Sequence, residues 1–341
     1  MLHFDSDYMQ TAHPLILERI AKTQNECYSG YGTDEICASA IERIRKACEA
    51  PQAEVHFLIG GTQTNAVCID ALLRSYQGVL CASTAHIQVH EAGAIEATGH
   101  KVLPLPEHEG KITADSVETY VKRFYADANW EHEVMPGMLY ITHPTEYGTL
   151  YTLSELEAIS RVCRENHMPL YLDGARLGYA LAATHTDVTL PDIARLTDAF
   201  YIGGTKVGAM MGEAVVFPRP GTVSHFLTQM KRHNALLAKG WLLGLQFDVL
   251  FTDNLYLNIS RNAIVTAERL REGLLQKGYE LYIDSPTNQQ FIVCTPQQLA
   301  DLGRHTTYGF WENLPDGRTV VRLATSWATR QSDVDSLLAE L

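Results

Sequence analysis

The sequence predicts an α/β protein, with a mainly parallel β-sheet in a large domain and a small α+β domain towards the carboxyl-terminal end. Two observations support this. From about residue 34, short apolar runs alternate with helical stretches, which is typical of a parallel sheet covered on both faces. Beyond about residue 250, strand-like runs dominate instead. A chain of 341 residues is long enough for two domains.

The order of the elements follows from hydrophobic periodicity. In DEICASAIERIRKACEA, apolar residues such as Ile36, Ala40 and Ile44 recur on one helical face. Further helices are expected in TNAVCIDALLRSY, LSELEAISRVCRENH and a long region over about 221–278. Strands are expected at VHFLIG (55–60), GVLCAS (78–83), KVLPLP (101–106), GMLYIT (137–142), MPLYLD (168–173) and AFYIGG (199–204).

The carboxyl-terminal part predicts the smaller domain. YELYIDSP, QFIVCTP and TVVRLATSW are strand-like, and a final helix is expected over 332–341. We therefore expect an N-terminal segment over 1–20 that packs with the small domain, a large domain over 21–250 and a small domain over 251–341.

Composition excludes several classes of function. Forty acidic and 27 basic side chains give a net charge of −13, which disfavours binding to nucleic acid or to an anionic membrane. The N-terminus lacks the apolar core of a signal peptide, and no apolar run is long enough to span a membrane. The seven scattered cysteines predict reduced thiols in a cytoplasmic protein and no metal site.

Ligands of such sheets bind at the carboxyl ends of the strands, so the residues after each apolar run are the candidates. GGTQTN (60–65) suits either a phosphate at a helix start or a plain strand–helix turn capped by threonine. His86, in TAHIQVHEAG, fits a structural role, a metal ligand or a ring stacked on a planar cofactor. His143, in HPTEYG, is either a proton-transfer group or a loop residue.

The strongest candidates are an acid and a lysine at two adjacent strand ends. Asp173 closes MPLYLD with Arg176 three residues on, either as a surface ion pair or as a carboxylate that meets a positive group. Lys206, in FYIGGTKVGAMMG, is a strand-end lysine or an amine made nucleophilic by burial. A phosphate cradle, a flat ring, an acid and a lysine at one edge together suit pyridoxal 5'-phosphate.

The chain resembles the low-specificity L-threonine aldolase and β-eliminating lyase family of fold type I pyridoxal-phosphate enzymes, in its phenylserine-aldolase-like branch. The resemblance rests on FDSDY, GYGTDE, GGTQTN, AHIQVHEAGAIEATGHKVLPLP, PTEYGTLYTLSELEAI, YLDGARL, GGTKVGA and VVRLATSW. It implies a fold type I transferase-like architecture, pyridoxal phosphate as cofactor and a homodimer or homotetramer whose sites form between subunits.

The resemblance also implies roles for individual residues. Lys206 would be the Schiff-base lysine, Asp173 would pair with the pyridine nitrogen and His86 would stack on the ring. Arg176 would hold the O3′ side. Gly60, Gly61, Thr62, Gln63 and Thr205 would line the phosphate.

The substrate side is assigned in the same way. Arg322 would hold the substrate carboxylate, helped by Ser6, and Tyr31 would lie near a neighbouring subunit's site. His143, or a water that it orders, would take the proton of the β-hydroxyl. The chain departs from the family pattern in three places: it has THP (142–144) where aldolases have THN, DSDYMQTAHP where they have an arginine-containing stretch, and Trp241 beside Lys239 in KGWLLG.

The predicted reaction is cleavage of the Cα–Cβ bond of a threonine-like β-hydroxy-α-amino acid to glycine and an aldehyde. β-Elimination from an amino acid by the same residues is the first alternative. A catalytically silent cofactor-binding relative is the second. Dinucleotide binding is disfavoured, because the first strand is not followed by GxGxxG with an acid about 20 residues later.

Overall fold

A computed structural model describes residues 1–341. The α-helices are α1 (Pro14–Lys22), α2 (Glu35–Ala47), α3 (Gly61–Leu72), α4 (His86–Val89), α5 (Ala114–Ala126), α6 (Leu153–Glu165), α7 (Leu177–Ala182), α8 (Leu190–Leu196), α9 (Phe226–Arg232), α10 (Trp241–Leu250), α11 (Leu255–Gln276), α12 (Pro296–His305) and α13 (Gln331–Glu340). The strands are β1 (Leu2–His3), β2 (Glu54–Leu58), β3 (Gln77–Ala82), β4 (Val102–Leu105), β5 (Met135–Thr142), β6 (Leu170–Asp173), β7 (Ala199–Gly203), β8 (Glu213–Phe217), β9 (Glu280–Ile283), β10 (Gln289–Cys294), β11 (Thr306–Thr307), β12 (Gly309–Asn313) and β13 (Thr319–Ala324). Two 3-10 turns occur at Glu96–Thr98 and Trp130–His132.

The large sheet has seven strands in the order β2-β8-β7-β6-β5-β3-β4. The pairs among β7, β6, β5, β3 and β4 are parallel, as predicted, whereas β8 runs antiparallel to both its neighbours. No strand was predicted at β8. Its chain returns from β7 through a loop without a helix, so it must run in the opposite direction and begin at the edge where β7 ends.

Local sequence signals explain where the long helices begin. The Asp34 side chain caps α2 by accepting from the amide of Cys37 at 2.8 Å. At α6, Thr152 and Glu155 form a reciprocal capping box. These caps fix the helices that cover the sheet.

The small domain is built on an antiparallel sheet with the order β12-β13-β10-β9. Strand β12 was not predicted. The small core includes Phe4 from the N-terminal segment, whereas Ile16 of α1 belongs to the large core. Helix α11 contributes to both cores, with Ile264 in the large core and Leu270 in the small one.

This topology brings the functional candidates to one edge. Strands β2, β3, β5, β6 and β7 all end there, and β8 starts there. None of the helices combines the length and the apolar character that crossing a membrane requires.

Candidate active site

A cavity of about 310 Å³ lies at this edge of the large sheet. Its lining comes from the carboxyl ends of β2, β3, β5, β6 and β7 with the residues that follow them, from the first residue of β8, and from Tyr8 of the N-terminal segment. Of the residues predicted from sequence, the cavity brings together Gly60, Gly61, Thr62, His86, Asp173, Arg176, Thr205 and Lys206.

Asp173 forms the buried polar floor of the cavity. One carboxylate oxygen accepts from Tyr140 Oη at 2.7 Å and Asn65 Nδ2 at 3.0 Å. The other accepts from Tyr201 Oη at 2.5 Å and from the amide of Ala175 at 2.9 Å. Four donors therefore fix the orientation of a carboxylate whose residue is 5% exposed.

His86 is connected to this floor through a chain of hydrogen bonds. Its Nδ1 lies 2.8 Å from Oε1 of the buried Glu91. Glu91 also accepts from Asn65 Nδ2 at 2.8 Å, and Asn65 is the residue that donates to Asp173. The side chain is 38% exposed and lines the cavity, so it is accessible to a ligand bound there. No group of His, Cys, Asp or Glu side chains is arranged to hold a metal ion.

The start of α3 offers backbone donors. Its N-cap is Gly60, and no side chain caps the helix. The first N–H groups of the helix are therefore free to bind an anion, favoured by the helix dipole. Gly60, Gly61 and Thr62 line the cavity, but Gln63 does not, and its Oε1 is buried without a partner.

Lys206 lies in the same cavity, where it is partly accessible. Burial and the neighbouring Arg176 lower the pKa of Lys206 to about 8, although Asp7, Asp173 and Glu213 act in the opposite direction. The shift favours the neutral amine, which is the form that adds to a carbonyl.

Two further acids line the cavity and were not predicted. Burial raises the pKa of Glu213, the first residue of β8, to about 8, against the opposing effects of Thr205 and Lys206. Burial likewise raises the pKa of Glu146 to about 7. Glu146 Oε1 accepts from the amide of His86 at 2.8 Å and its Oε2 from Thr142 Oγ1 at 2.9 Å. Both acids therefore titrate in the range useful for proton transfer.

Arg176 is held by a buried partner from the N-terminal segment. Its Nε and Nη2 donate to the two carboxylate oxygens of Asp7 at 2.7 and 3.1 Å. Asp7 is fully buried and accepts a third bond, from Asn288 Nδ2 at 2.9 Å. Burial raises the pKa of Asp7, but Arg176, Lys206 and Arg322 outweigh burial and lower it to about 2.

Arg322 and Ser6 do not line the cavity, but both carry buried donors without partners, Arg322 Nε and Ser6 Oγ. The two terminal nitrogens of Arg322 donate to Gln289 Oε1 at 3.0 Å and to the carbonyl of Asp5 at 2.9 Å. This places Arg322 against the same N-terminal segment that holds Arg176.

Two further predicted residues, besides Gln63, Ser6 and Arg322, do not line the cavity. His143 does not line the cavity; it is fully buried, with its ring 6.4 Å from that of Tyr151 and neither ring nitrogen hydrogen-bonded. Burial lowers the pKa of His143 to about 4. The reason for its position is strand alternation: Tyr140 and Thr142 face the cavity side of β5, and the next side chain faces the other way. Tyr31 is exposed at the surface, beneath the Lys231 ammonium at 5.0 Å.

Sequence reasoning missed Asn65, Glu91, Tyr140, Glu146, Tyr201 and Glu213. Alternation along β5 would have placed Tyr140 with Thr142. Glu146 stands three residues after His143 in the same HPTEYG motif. The missed strand β8 accounts for Glu213.

Known proteins share the sequence pattern and the fold of this chain. A family model described as Beta-eliminating lyase matches residues 4–291. The low specificity L-threonine aldolase of Pseudomonas sp. (strain NCIMB 10558) is 30% identical over 99% of this chain and 96% of its own length. The solved structure of a Leishmania major threonine aldolase is 41% identical, with a TM-score of 0.96 over 99% of this chain and 98% of that one. A Thermus thermophilus aspartate aminotransferase shares the fold at 15% identity, with a TM-score of 0.73 over 100% of this chain and 90% of that one.

Proposed function

Since the chain belongs to the beta-eliminating lyase family, we propose that it is a pyridoxal-phosphate-dependent aldolase. Its reaction is cleavage of the Cα–Cβ bond of threonine-like β-hydroxy-α-amino acids to glycine and an aldehyde. The observation that carries the proposal is the joint presence, in one cavity, of Lys206, the four-fold hydrogen-bonded Asp173 and the uncapped start of α3. The threonine aldolase relatives support the choice of substrate class.

The residues present fit the cofactor. The free N–H groups at Gly60–Thr62 suit its phosphate, the half-exposed His86 ring suits its face, and Asp173 suits its protonated ring nitrogen. Lys206 is the amine for its aldehyde. When bound, the cofactor supplies an electron sink for the pair released when a bond to Cα breaks.

The carboxylate of the substrate requires separate donors. Arg322 Nε and Ser6 Oγ are both buried and unpartnered, so they are the donors that we propose for a carboxylate; because neither residue lines the cavity, the N-terminal segment against Arg322 would have to shift to admit the substrate. Arg176 adds positive charge beside the cavity, held in place by Asp7. We therefore keep Arg322 and Ser6 as the substrate-binding pair.

Cleavage also requires that the β-hydroxyl lose its proton. We assign that proton to Glu146 rather than to His143, because Glu146 lines the cavity and His143 does not. Its bonds from the His86 amide and Thr142 leave the ionised carboxylate fixed in position to accept a proton.

Two alternatives give different products. β-Elimination, which the matched family model names, would release ammonia and a 2-oxo acid from a hydroxy amino acid. A catalytically silent relative would bind the cofactor and release nothing.

We further propose a cytoplasmic homodimer or homotetramer with shared active sites. Large apolar side chains are exposed at Ile59, which lines the cavity, and at Met210 and Met211, in the loop between Lys206 and Glu213, and a second subunit would cover them. Tyr31 is the residue that we expect to approach the neighbouring subunit's cavity.

Product analysis tests the proposal. The protein loaded with pyridoxal phosphate is incubated with L-threonine, L-allo-threonine and phenylserine, and glycine, aldehyde, ammonia and 2-oxo acid are measured. We expect glycine and aldehyde in equal amounts, lost in Lys206→Ala and retained in Lys101→Ala, a change at an exposed lysine. Ammonia and 2-oxo acid instead would establish β-elimination, and no product with a bound cofactor would establish the silent relative.

A further inference from the structure

Glu213 is an acid at the end of the cavity where an anion would bind. As the first residue of β8 it pairs with Leu58 of β2, two residues before Gly60, and with Gly203 of β7, three residues before Lys206. It is 3% exposed. A carboxylate beside a bound phosphate would be repelled, so the presence of Glu213 needs an explanation.

The hydrogen bonds of Glu213 involve the same donors that a phosphate would use. Its Oε1 accepts from Thr205 Oγ1 at 2.7 Å and its Oε2 from the amide of Gly204 at 3.1 Å. Thr205 Oγ1 in turn accepts from the amide of Gly212 at 3.1 Å. A threonine hydroxyl has one proton, so while Glu213 is ionised Thr205 has no proton left for another anion.

Resting on the proposed function, we propose that Glu213 is a proton-carrying member of the phosphate site and that binding of pyridoxal phosphate takes up one proton. The proton passes from solvent to Glu213 Oε1. Glu213 then donates to Thr205 Oγ1, which still accepts from Gly212, and the Thr205 proton turns to a phosphate oxygen. No covalent bond between heavy atoms changes, and the like-charge repulsion is removed.

The surroundings of Glu213 support this exchange. Burial already raises its pKa in the empty site, and Lys206 is the neighbouring cation that lowers it. The other titratable groups that face Glu213 are Asp173, Tyr201 and, from α11, Tyr256. A phosphate adds negative charge to this set, which favours the neutral acid further.

The consequence is a pH-dependent affinity. Where Glu213 is already protonated in the empty site, binding takes up no proton and pH has no effect through this group. Above the pKa of the empty site, each rise of one pH unit weakens cofactor binding about tenfold through Glu213. A glutamine at this position donates its N–H to Thr205 at every pH, so the Glu213→Gln variant lacks this dependence.

The test measures the dissociation constants of pyridoxal phosphate and of pyridoxal, which has no phosphate, from about pH 7 to about pH 9.5 for wild type and Glu213→Gln. Because Glu213 raises the pKa of Lys206, the variant also changes the reaction of the aldehyde with Lys206, but this change is common to pyridoxal phosphate and pyridoxal. We expect wild type to lose about thirtyfold more affinity for pyridoxal phosphate than Glu213→Gln over this range, and the difference with pyridoxal to be much smaller. Calorimetry in buffers of different ionisation enthalpy should show the corresponding extra proton uptake by wild type.

Two variants provide controls. Glu146→Gln removes another acid of the cavity, which does not contact Thr205, and should keep the wild-type pH dependence of cofactor affinity. Thr205→Val removes the connecting hydroxyl but not the charge of Glu213, so it should reduce the pH dependence without abolishing it, and this reduction is measurable even if Glu213→Gln folds poorly. If wild type, Glu213→Gln and Thr205→Val show the same pH dependence of pyridoxal phosphate affinity, this inference is wrong while the proposed function stands. Failure of wild type to bind the cofactor at any pH would overturn the proposed function and this inference with it.

Discussion

The ion pair between Asp7 and Arg176 gives the prediction that the structure quantifies best. The perturbation is Asp7→Asn, which preserves shape but removes the charge that three hydrogen bonds satisfy. The pKa of Asp7 is lowered from its ordinary value of 3.8 to about 2, which corresponds to about 2.4 kcal/mol of stability at neutral pH. Since the variant also leaves Arg176 with an uncompensated charge, we expect a loss of about 3 kcal/mol.

The assay is denaturant unfolding of wild type, Asp7→Asn and Asp5→Asn. Asp5 is in the same segment, but its side chain is 35% exposed, so its substitution should cost less than about 1 kcal/mol. Because the pKa is lowered in the folded state, the contribution of Asp7 is complete above about pH 4 and declines as pH falls through about 2. The difference in unfolding free energy between wild type and Asp7→Asn should therefore be constant from about pH 7 to about pH 5. Equal losses for the two variants would refute the reasoning.

Two substitutions in the site and one outside it have distinct expected effects on kinetics. Glu146→Gln should lower kcat for aldehyde release about a hundredfold, because the ionised carboxylate is needed as the base. It should also remove the fall in rate below about pH 7 that protonation of Glu146 causes. An unchanged pH–rate profile would contradict the role of Glu146 as base. His143→Gln is the matched comparison and should change kcat less than about threefold, because the imidazole lies outside the cavity. A decrease in kcat as large as that of Glu146→Gln would instead identify His143 as the base. Asp173→Asn should fold but lower kcat at least about a thousandfold, because it removes the charge that stabilises a protonated ring nitrogen. Near-normal turnover in the same aldehyde assay would show that Asp173 does not have this role.

Much of the fold, and the grouping of several predicted residues at one cavity, could be predicted because they depend on local patterns. Each apolar run of the parallel sheet was placed within two residues, and the rule that such strands end at a common edge grouped Asp173 with Lys206 before any coordinates. The prediction was weakest where the placement of a residue depends on the direction in which a strand runs. Strand β8 was missed because it follows β7 in the antiparallel direction with no helix between the two strands. Glu213 was missed with it, because Glu213 is the first residue of β8.

The position of His143 shows a second kind of limit. Its place at the end of β5 was predicted, but which face it occupies depends on alternation along the strand, and the HPTEYG turn then carries Glu146 back into the cavity. The partners of Asp173 could not be found locally either, because Asn65 is 108 residues away in sequence and meets Asp173 only through sheet order. Such contacts depend on the order of the strands in the sheet and not on the local sequence.

The central claim is that Lys206 carries the cofactor in the cavity floored by Asp173. The most direct test is to load the protein with pyridoxal phosphate, reduce it with borohydride and locate the modified lysine by mass spectrometry of peptides. The account predicts the cofactor mass on Lys206, together with a visible absorption band that is absent from Lys206→Ala. Modification of a different lysine, or no stable modification in wild type, would contradict it.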